Sequence, residues 1–335
     1  MTQAGEIMVR CEGLTKVYDE ITALEDLNLA IPSGHVFGYI GHNGAGKTTT
    51  IRILAGLLKA TRGRASVAGV DVAAGRDRIK SLVGYLPDSF GVYEQMRVWE
   101  YLDFFGAAQK IPRAARRERI DYVLAVTDSR LLRDRFVDTL SRGMKQRIGI
   151  ARTLLHDPQV LLLDEPASGL DPSARVQMRG LLRRLADAGK TLLVSSHILP
   201  ELAAVCDSIG ILHQGHLRAA GPIQKVLGEI QRDRLMELKA LSGLPAAEGA
   251  LSKDNHCSNI DASERSAGVV RFRFSGDDEA IAALVGKLAS GGVRIVTIRE
   301  VPLSLEDAYM AISGTGSELP GPAETGGERQ KDKPV

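Results

Sequence analysis

The chain has 335 residues, enough for roughly two domains, and its 44% apolar and 25% charged content is that of a folded globular protein. A formal charge of +2 gives no electrostatic case for nucleic acid as a partner. No run approaches the about 20 consecutive apolar residues that a membrane-spanning helix requires, so any connection to a membrane is expected to come through a partner.

In chain order, Met1 to Arg10 lacks the apolar stretch of a secretory leader. Cys11, Cys206 and Cys257 lie far apart without metal-ligand spacing and read as the reduced thiols of a cytosolic protein. Short β-prone runs occupy Val9 to about Ala68. Among them Val36-Phe37-Gly38-Tyr39-Ile40 leads into Gly41-His42-Asn43-Gly44-Ala45-Gly46-Lys47-Thr48, which fits G-x-x-x-x-G-K-[ST] at every fixed position. Thr49 to Leu58 follows with helical spacing. Strand, glycine loop and helix together predict a nucleoside triphosphate site. Glycines let backbone N–H groups curl around an anion, and the helix N-terminus adds partial positive charge. Lys47 would reach the β and γ phosphates and the Thr48 hydroxyl would ligate Mg²⁺.

Residues from about Val98 to Val126 have a helical period with a basic insert, Arg113 to Arg119. Leu140-Ser141-Arg142-Gly143-Met144 runs into a helix expected to begin near Lys145, which makes Ser141 and Gly143 a second anion-ready terminus. One chain has no obvious need of two such sites around one nucleotide, whereas two copies arranged head to tail can use both. Val160 to Leu163, Thr191 to Val194 and Ile209 to Leu212 are short, fully apolar strands separated by helical stretches, the mark of a buried parallel sheet. The first ends in Asp164 and Glu165, placed to hold Mg²⁺ and to polarise a water. The second ends in Ser195-Ser196-His197, a candidate γ-phosphate sensor.

Beyond about Lys239 the composition shifts. Leu241 to Ser266 reads as loop, Val269 to Phe274 and Val293 to Ile298 as strands, and Asp277 to Leu288 as helix, implying a small α+β domain. After Gly314 the chain is Gly, Pro, Ser, Glu and Lys with few apolar residues, a disordered composition.

These motifs, in this order over about residues 7 to 225, resemble the ATPase subunit of an ATP-binding cassette (ABC) transporter. The resemblance implies an α/β P-loop NTPase fold with a RecA-like core, an antiparallel β subdomain and a helical subdomain. The expected division is 7–228 for the nucleotide-binding domain, 229–314 for the accessory α+β domain and 315–335 for the tail. It implies that Tyr18 stacks on adenine and that residues Gly41, His42, Asn43, Gly44, Ala45, Gly46, Lys47, Thr48 and Thr49 hold ATP. Ser141, Arg142 and Gly143 would form the signature loop, Ser168 to Asp171 the loop that contacts the opposing subunit, Asp164 the Mg²⁺-binding aspartate, Glu165 the catalytic base and His197 the switch histidine.

Three departures stand out. Asp88 replaces the usual glutamine after the third strand; it can still bind Mg²⁺, directly or through water, which puts it with Lys47, Glu165 and His197 as a catalytic candidate. A carboxylate cannot donate a hydrogen bond while ionised, so toward the lytic water it could only accept, unlike the glutamine amide. Arg142 replaces a glycine of the signature and could either add charge near the γ-phosphate of the opposing copy or face solvent. His42 replaces a common proline at a variable position, with little effect expected.

The single cassette, the Leu86-Pro87-Asp88 loop, the Ser141-Arg142-Gly143-Met144 signature, the C-terminal domain and Ser304 to Tyr309 resemble the bacterial multidrug-exporter branch. The implied partners are a second copy of the chain and a separate membrane permease, at the cytoplasmic face of the membrane. The aromatics of Phe90 to Tyr93 and of Val98 to Leu102 are candidates either for the permease groove or for core packing. The alternative function is a soluble ABC ATPase without a transport role.

Overall fold

The structure, a computed structural model, describes residues 6–89, 91, 95–230 and 234–301. Two twelve-residue strands, β1 (Ile7–Tyr18) and β2 (Ile21–Pro32), pair antiparallel. They are followed by β3 (Val36–Ile40), α1 (Lys47–Leu54), β4 (Arg62–Val67), β5 (Val70–Asp71), α2 (Arg76–Leu82) and β6 (Val83–Leu86). β1, β2, β4 and β5 form a four-stranded antiparallel sheet in the order β2-β1-β4-β5.

A helical section comes next: α3 (Val98–Ala108), α4 (Arg113–Val126) and α5 (Arg142–Thr153). The expected helical region is broken at Lys110, whose φ is 60°, and restarts after Pro112, because proline cannot sit inside a helix. Tyr101 is buried in the core of this section beside Val98 and Leu102, so of the two readings left open for it packing is the one observed. Trp99 lies half-buried at its margin. Phe90, Val92 and Tyr93 lie outside the described residues.

The main sheet is completed by β7 (Val160–Leu163), α6 (Pro172–Asp187), β8 (Thr191–Ser196), α7 (Leu199–Ala203), β9 (Ser208–His213), β10 (His216–Pro222) and α8 (Ile223–Ile230). Its order is β10-β9-β3-β8-β7-β6, parallel from β9 to β6, with β10 returning antiparallel on β9. Successive side chains of its strands go to opposite faces. Leu161, Leu163, Leu192 and Val194 join the core that α3 to α7 cover, while Val160, Leu162, Leu193, Phe37 and Tyr39 join the core shared with the antiparallel sheet. Burial on both faces is why these strands are apolar without alternation.

A second antiparallel unit contains β11 (Arg234–Ser242), α9 (Leu244–Leu251), β12 (Cys257–Asp261), β13 (Val269–Phe274), α10 (Asp278–Ser290) and β14 (Arg294–Glu300), with strand order β12-β13-β11-β14. Its own apolar core runs from Met236 to Val293. The stretch 241–266, expected as loop, contains α9 and β12. α9 starts after Gly243, at φ 88°, with proline in its first turn, a start that a short small-residue sequence conceals. Ser304 to Tyr309 and the segment 315–335 lie outside the described residues.

On β11, Glu237 is hydrogen-bonded by Arg299 at 2.6 Å and by Arg271 at 3.0 Å. The Arg299 bond, with Arg271 beside it, holds the Glu237 carboxyl below its ordinary 4.5 despite desolvation. A carboxyl depressed in the folded state stabilises it above the unfolded-state value and loses that contribution as pH falls through the folded one. Glu237→Gln is expected to cost about 1 kcal/mol at neutral pH, the partners being partly solvated. It should also flatten the loss of stability below pH 4.5, as measured by denaturant unfolding across pH.

Candidate active site

The loop 41–48 leaves the buried strand β3 and enters α1 through two left-handed glycines, Gly44 at φ 84° and Gly46 at φ 109°. At Gly46 a Cβ would also meet the Ala23 carbonyl at 2.6 Å, so only glycine fits. The loop is pinned by Gly41 N–H to Ser196 O at 3.3 Å and Gly215 N–H to Ala45 O at 3.0 Å. Lys47 is 6% exposed and donates to the carbonyls of Gly41 and, at 3.2 Å, His42. His42 itself turns back to the Asn43 carbonyl at 2.7 Å and sets its ring edge-on to His213, 5.0 Å between centroids. Asn43 and Gly44 are exposed at the tip and Thr49 is half-buried.

Asp164, 2% exposed, follows the last residue of β7. Its Oδ2 accepts from Thr48 Oγ1 at 2.7 Å and its Oδ1 from Ser195 Oγ at 2.6 Å. The same Ser195 hydroxyl accepts the Glu165 N–H at 2.9 Å. Glu165 has a left-handed φ of 50°, an uncommon conformation for a non-glycine residue and worth a cost of about 1–3 kcal/mol. That turn aims its carboxylate back at the loop: Oε2 lies 2.9 Å from His197 Nδ1 and Oε1 3.3 Å from Lys47 Nζ. Oε1 is buried and, beyond that ion pair, has no hydrogen-bond partner among the described residues, leaving an acceptor for another group.

The ends of β3, β7 and β8 thus gather Lys47, Thr48, Asp164, Glu165 and His197. Asp88, two residues past the end of β6, is exposed and makes no hydrogen bond or ion pair with a described residue. Its strand is adjacent, since the Asp164 N–H donates to Leu86 O at 2.9 Å. Tyr18, at the end of β1, is 41% exposed with Lys16 Nζ 4.7 Å from its ring centre.

α5 begins at Arg142 rather than near Lys145, because Ser141 caps it, its Oγ accepting the Met144 N–H at 3.4 Å. Gly143 lies against α6, where a Cβ would be 3.1 Å from Ala174 Cβ. Arg142 is exposed, yet its guanidinium is not free in solvent: it covers Gly169, where a Cβ would stand 2.5 Å from Arg142 Cζ. Among the described residues no hydrogen bond or ion pair joins Ser141, Arg142 or Gly143 to the loop 41–48. Burial pushes the thiols of Cys11 and Cys206 up to about 12, which suits packing and not nucleophilic chemistry.

Sequence reasoning passes over Ser195. The available signal is a serine one residue inside the end of a strand buried on both faces, where a polar group must have partners. No group of three or more metal-ligating His, Cys, Asp or Glu occurs among the described residues.

A family model described as ABC transporter matches residues 24–168. The chain is 32% identical over 312 residues to the bacitracin transport ATP-binding protein of Bacillus licheniformis, covering 92% of this chain and 98% of that protein. It is 32% identical over 308 residues to a Nod factor export ATP-binding protein of Ralstonia nicotianae, covering 90% and 92%. Among solved structures, one titled as the ATP-binding subunit of an ABC transporter is 30% identical with a TM-score of 0.59, covering 66% of this chain and 92% of that one. The chain belongs to the ATP-binding subunits of ABC transporters, and its fold is the ABC ATPase form of the P-loop NTPases.

Ser195→Ala would leave the buried Asp164 short of a donor and the Glu165 N–H without its acceptor. Loss of a hydrogen bond to a buried charge predicts a destabilisation of about 2–3 kcal/mol, checked by the denaturant midpoint, together with reduced ATPase activity.

Proposed function

We propose that this chain hydrolyses ATP to power export through a separate membrane permease, working as a head-to-tail pair at the cytoplasmic face of the membrane. The observation that carries the reading is the convergence of Lys47, Thr48, Asp164, Glu165 and His197 at neighbouring strand ends. The relatives' names support transport and its direction: one is a bacitracin transport and one a Nod factor export ATP-binding protein. Among the described residues no helix is long and apolar enough to cross a membrane. In this reading residues 7–228 form the nucleotide-binding domain and 229–314 the accessory domain.

The loop 41–48 would cradle the phosphates with its N–H groups, with Thr49 in the first turn of α1 behind it, and Tyr18 would stack on adenine. Thr48 Oγ1 and Asp164 Oδ2 are two hard oxygens already in contact at 2.7 Å, a donor set that suits Mg²⁺, which takes few protein ligands besides phosphate and water. Asp88, on the adjacent strand's loop, would add an oxygen directly or through water. The ion would neutralise charge on the β and γ phosphate oxygens. Lys47 would stabilise charge developing on the γ-phosphoryl group. Glu165 would take the proton of the attacking water on Oε1, while His197 holds Oε2 and reports on the γ-phosphate.

Ser141, Arg142 and Gly143 would meet the nucleotide of the second copy.

Glu165→Gln is expected to cut turnover about a hundredfold or more while ATP binding persists. ATP-dependent dimers should then accumulate in light scattering after size exclusion. Undiminished turnover in that variant, or full activity of a strict monomer in which Ser141 has been replaced by Ala, would overturn the assignment.

A further inference from the structure

We propose that Arg175 and Glu201 are a positioning couple that ties the turn 168–171 to the end of β8 and so sets where His197 meets Glu165. This rests on the roles given to Glu165 and His197 above. Arg175, near the start of α6, donates its Nε–H to the Leu170 carbonyl at 2.9 Å, and its Nη1 lies 3.2 Å from Glu201 Oε1. Glu201, on α7, accepts from Ser196 Oγ at 3.4 Å through its other oxygen. Ser196 Oγ in turn accepts the Ile198 N–H at 3.0 Å. These bonds hold the residues on either side of His197, whose Nδ1 lies 2.9 Å from Glu165 Oε2.

The other end of the series is the Arg142 guanidinium lying on Gly169, where a φ of 65° favours glycine and the missing side chain leaves room for it. A continuous run of contacts therefore leads, within one chain, from the first turn of α5 through 168–171 to the histidine.

Burial argues that the couple orients more than it stabilises. Glu201's side chain is 11% exposed and Arg175's 36%, and an ion pair taken this far out of water gains little net stability. α7 is anchored independently by the buried Leu199 and Leu202. What the pair supplies is direction: a guanidinium has fixed donor geometry, and here its donors engage one turn and one helix at once.

The test uses the full chain, with steady-state ATPase assays, nucleotide binding and thermal melting on Arg175→Gln, Glu201→Gln and the double variant. Each single change is expected to lower kcat about tenfold, misplacement of a reacting geometry being the cause, with KM for ATP and melting temperature close to those of the unaltered chain. The double variant should be no slower than the worse single one. Unaltered kcat in both singles, losses that multiply in the double variant, or losses that follow KM or melting temperature would overturn the proposal. Should Glu201→Gln fail to fold, Arg175→Lys decides: it keeps the charge but not the Nε bond to Leu170, so lower kcat at unchanged KM supports the couple and unaltered kcat refutes it. Turnover that survives Glu165→Gln would remove the underlying site assignment. Turnover lost in Glu165→Gln but intact in the Arg175 and Glu201 variants would remove only this inference.

Discussion

A buried carboxylate at the end of a parallel strand is the constraint on which the cassette's arrangement depends. Asp164 is 2% exposed, and a charge so placed must be hydrogen-bonded on both oxygens. One hydroxyl comes from Thr48, at the start of the helix after β3, and the other from Ser195, near the end of β8. In the sheet β8 lies between β3 and β7, so both bonds demand that the registers of β3 on β8 and of β8 on β7 be right together. A one-residue slip would send Ser195 to the opposite face and bring Val194 or Ser196 to its place.

The two-sided burial of the main sheet serves that constraint. Alternate residues of β7 and β8 enter separate apolar cores, so neither strand can slide without moving side chains in both. The turn that begins at Glu165 is held against this rigid edge by the Ser195 hydroxyl, which offsets its unfavourable backbone angle. The C-terminal unit has an apolar core of its own. The proposed chemistry sits at none of these cores but where the strand ends meet.

Much of this is legible in the sequence wherever the signal is local. Residues 41–48 combine glycine placement, lysine and threonine in one stretch, and Val160 to Leu163 is a strand whose bounds match the apolar run. Less local features are not legible. Ser195 matters because of a partner 31 residues away, and nothing in Ser195-Ser196 tells which serine faces Asp164. The start of α5 lies earlier than the spacing predicts because a glycine in a first turn looks like loop until the Ser141 cap is seen. Arg142 has no single placement in the sequence because its neighbour, Gly169, lies on another element. α9 and β12 escape a sequence reading since Gly, Ser and Asn hide short elements whose buried residues, such as Ala247 and Leu251, are few. Roles for Tyr18 and Asp88 rest on resemblance, their positions being exposed and near element ends.

The way Lys47 is held has an energetic corollary. Its ammonium already donates to two backbone carbonyls and faces Glu165 at 3.3 Å. An anion that engages it therefore exchanges existing bonds for new ones, and the net gain is the small difference between the two sets. Lys47 is thus pre-positioned for an incoming anion, and its own share of the affinity is reduced by the bonds it gives up.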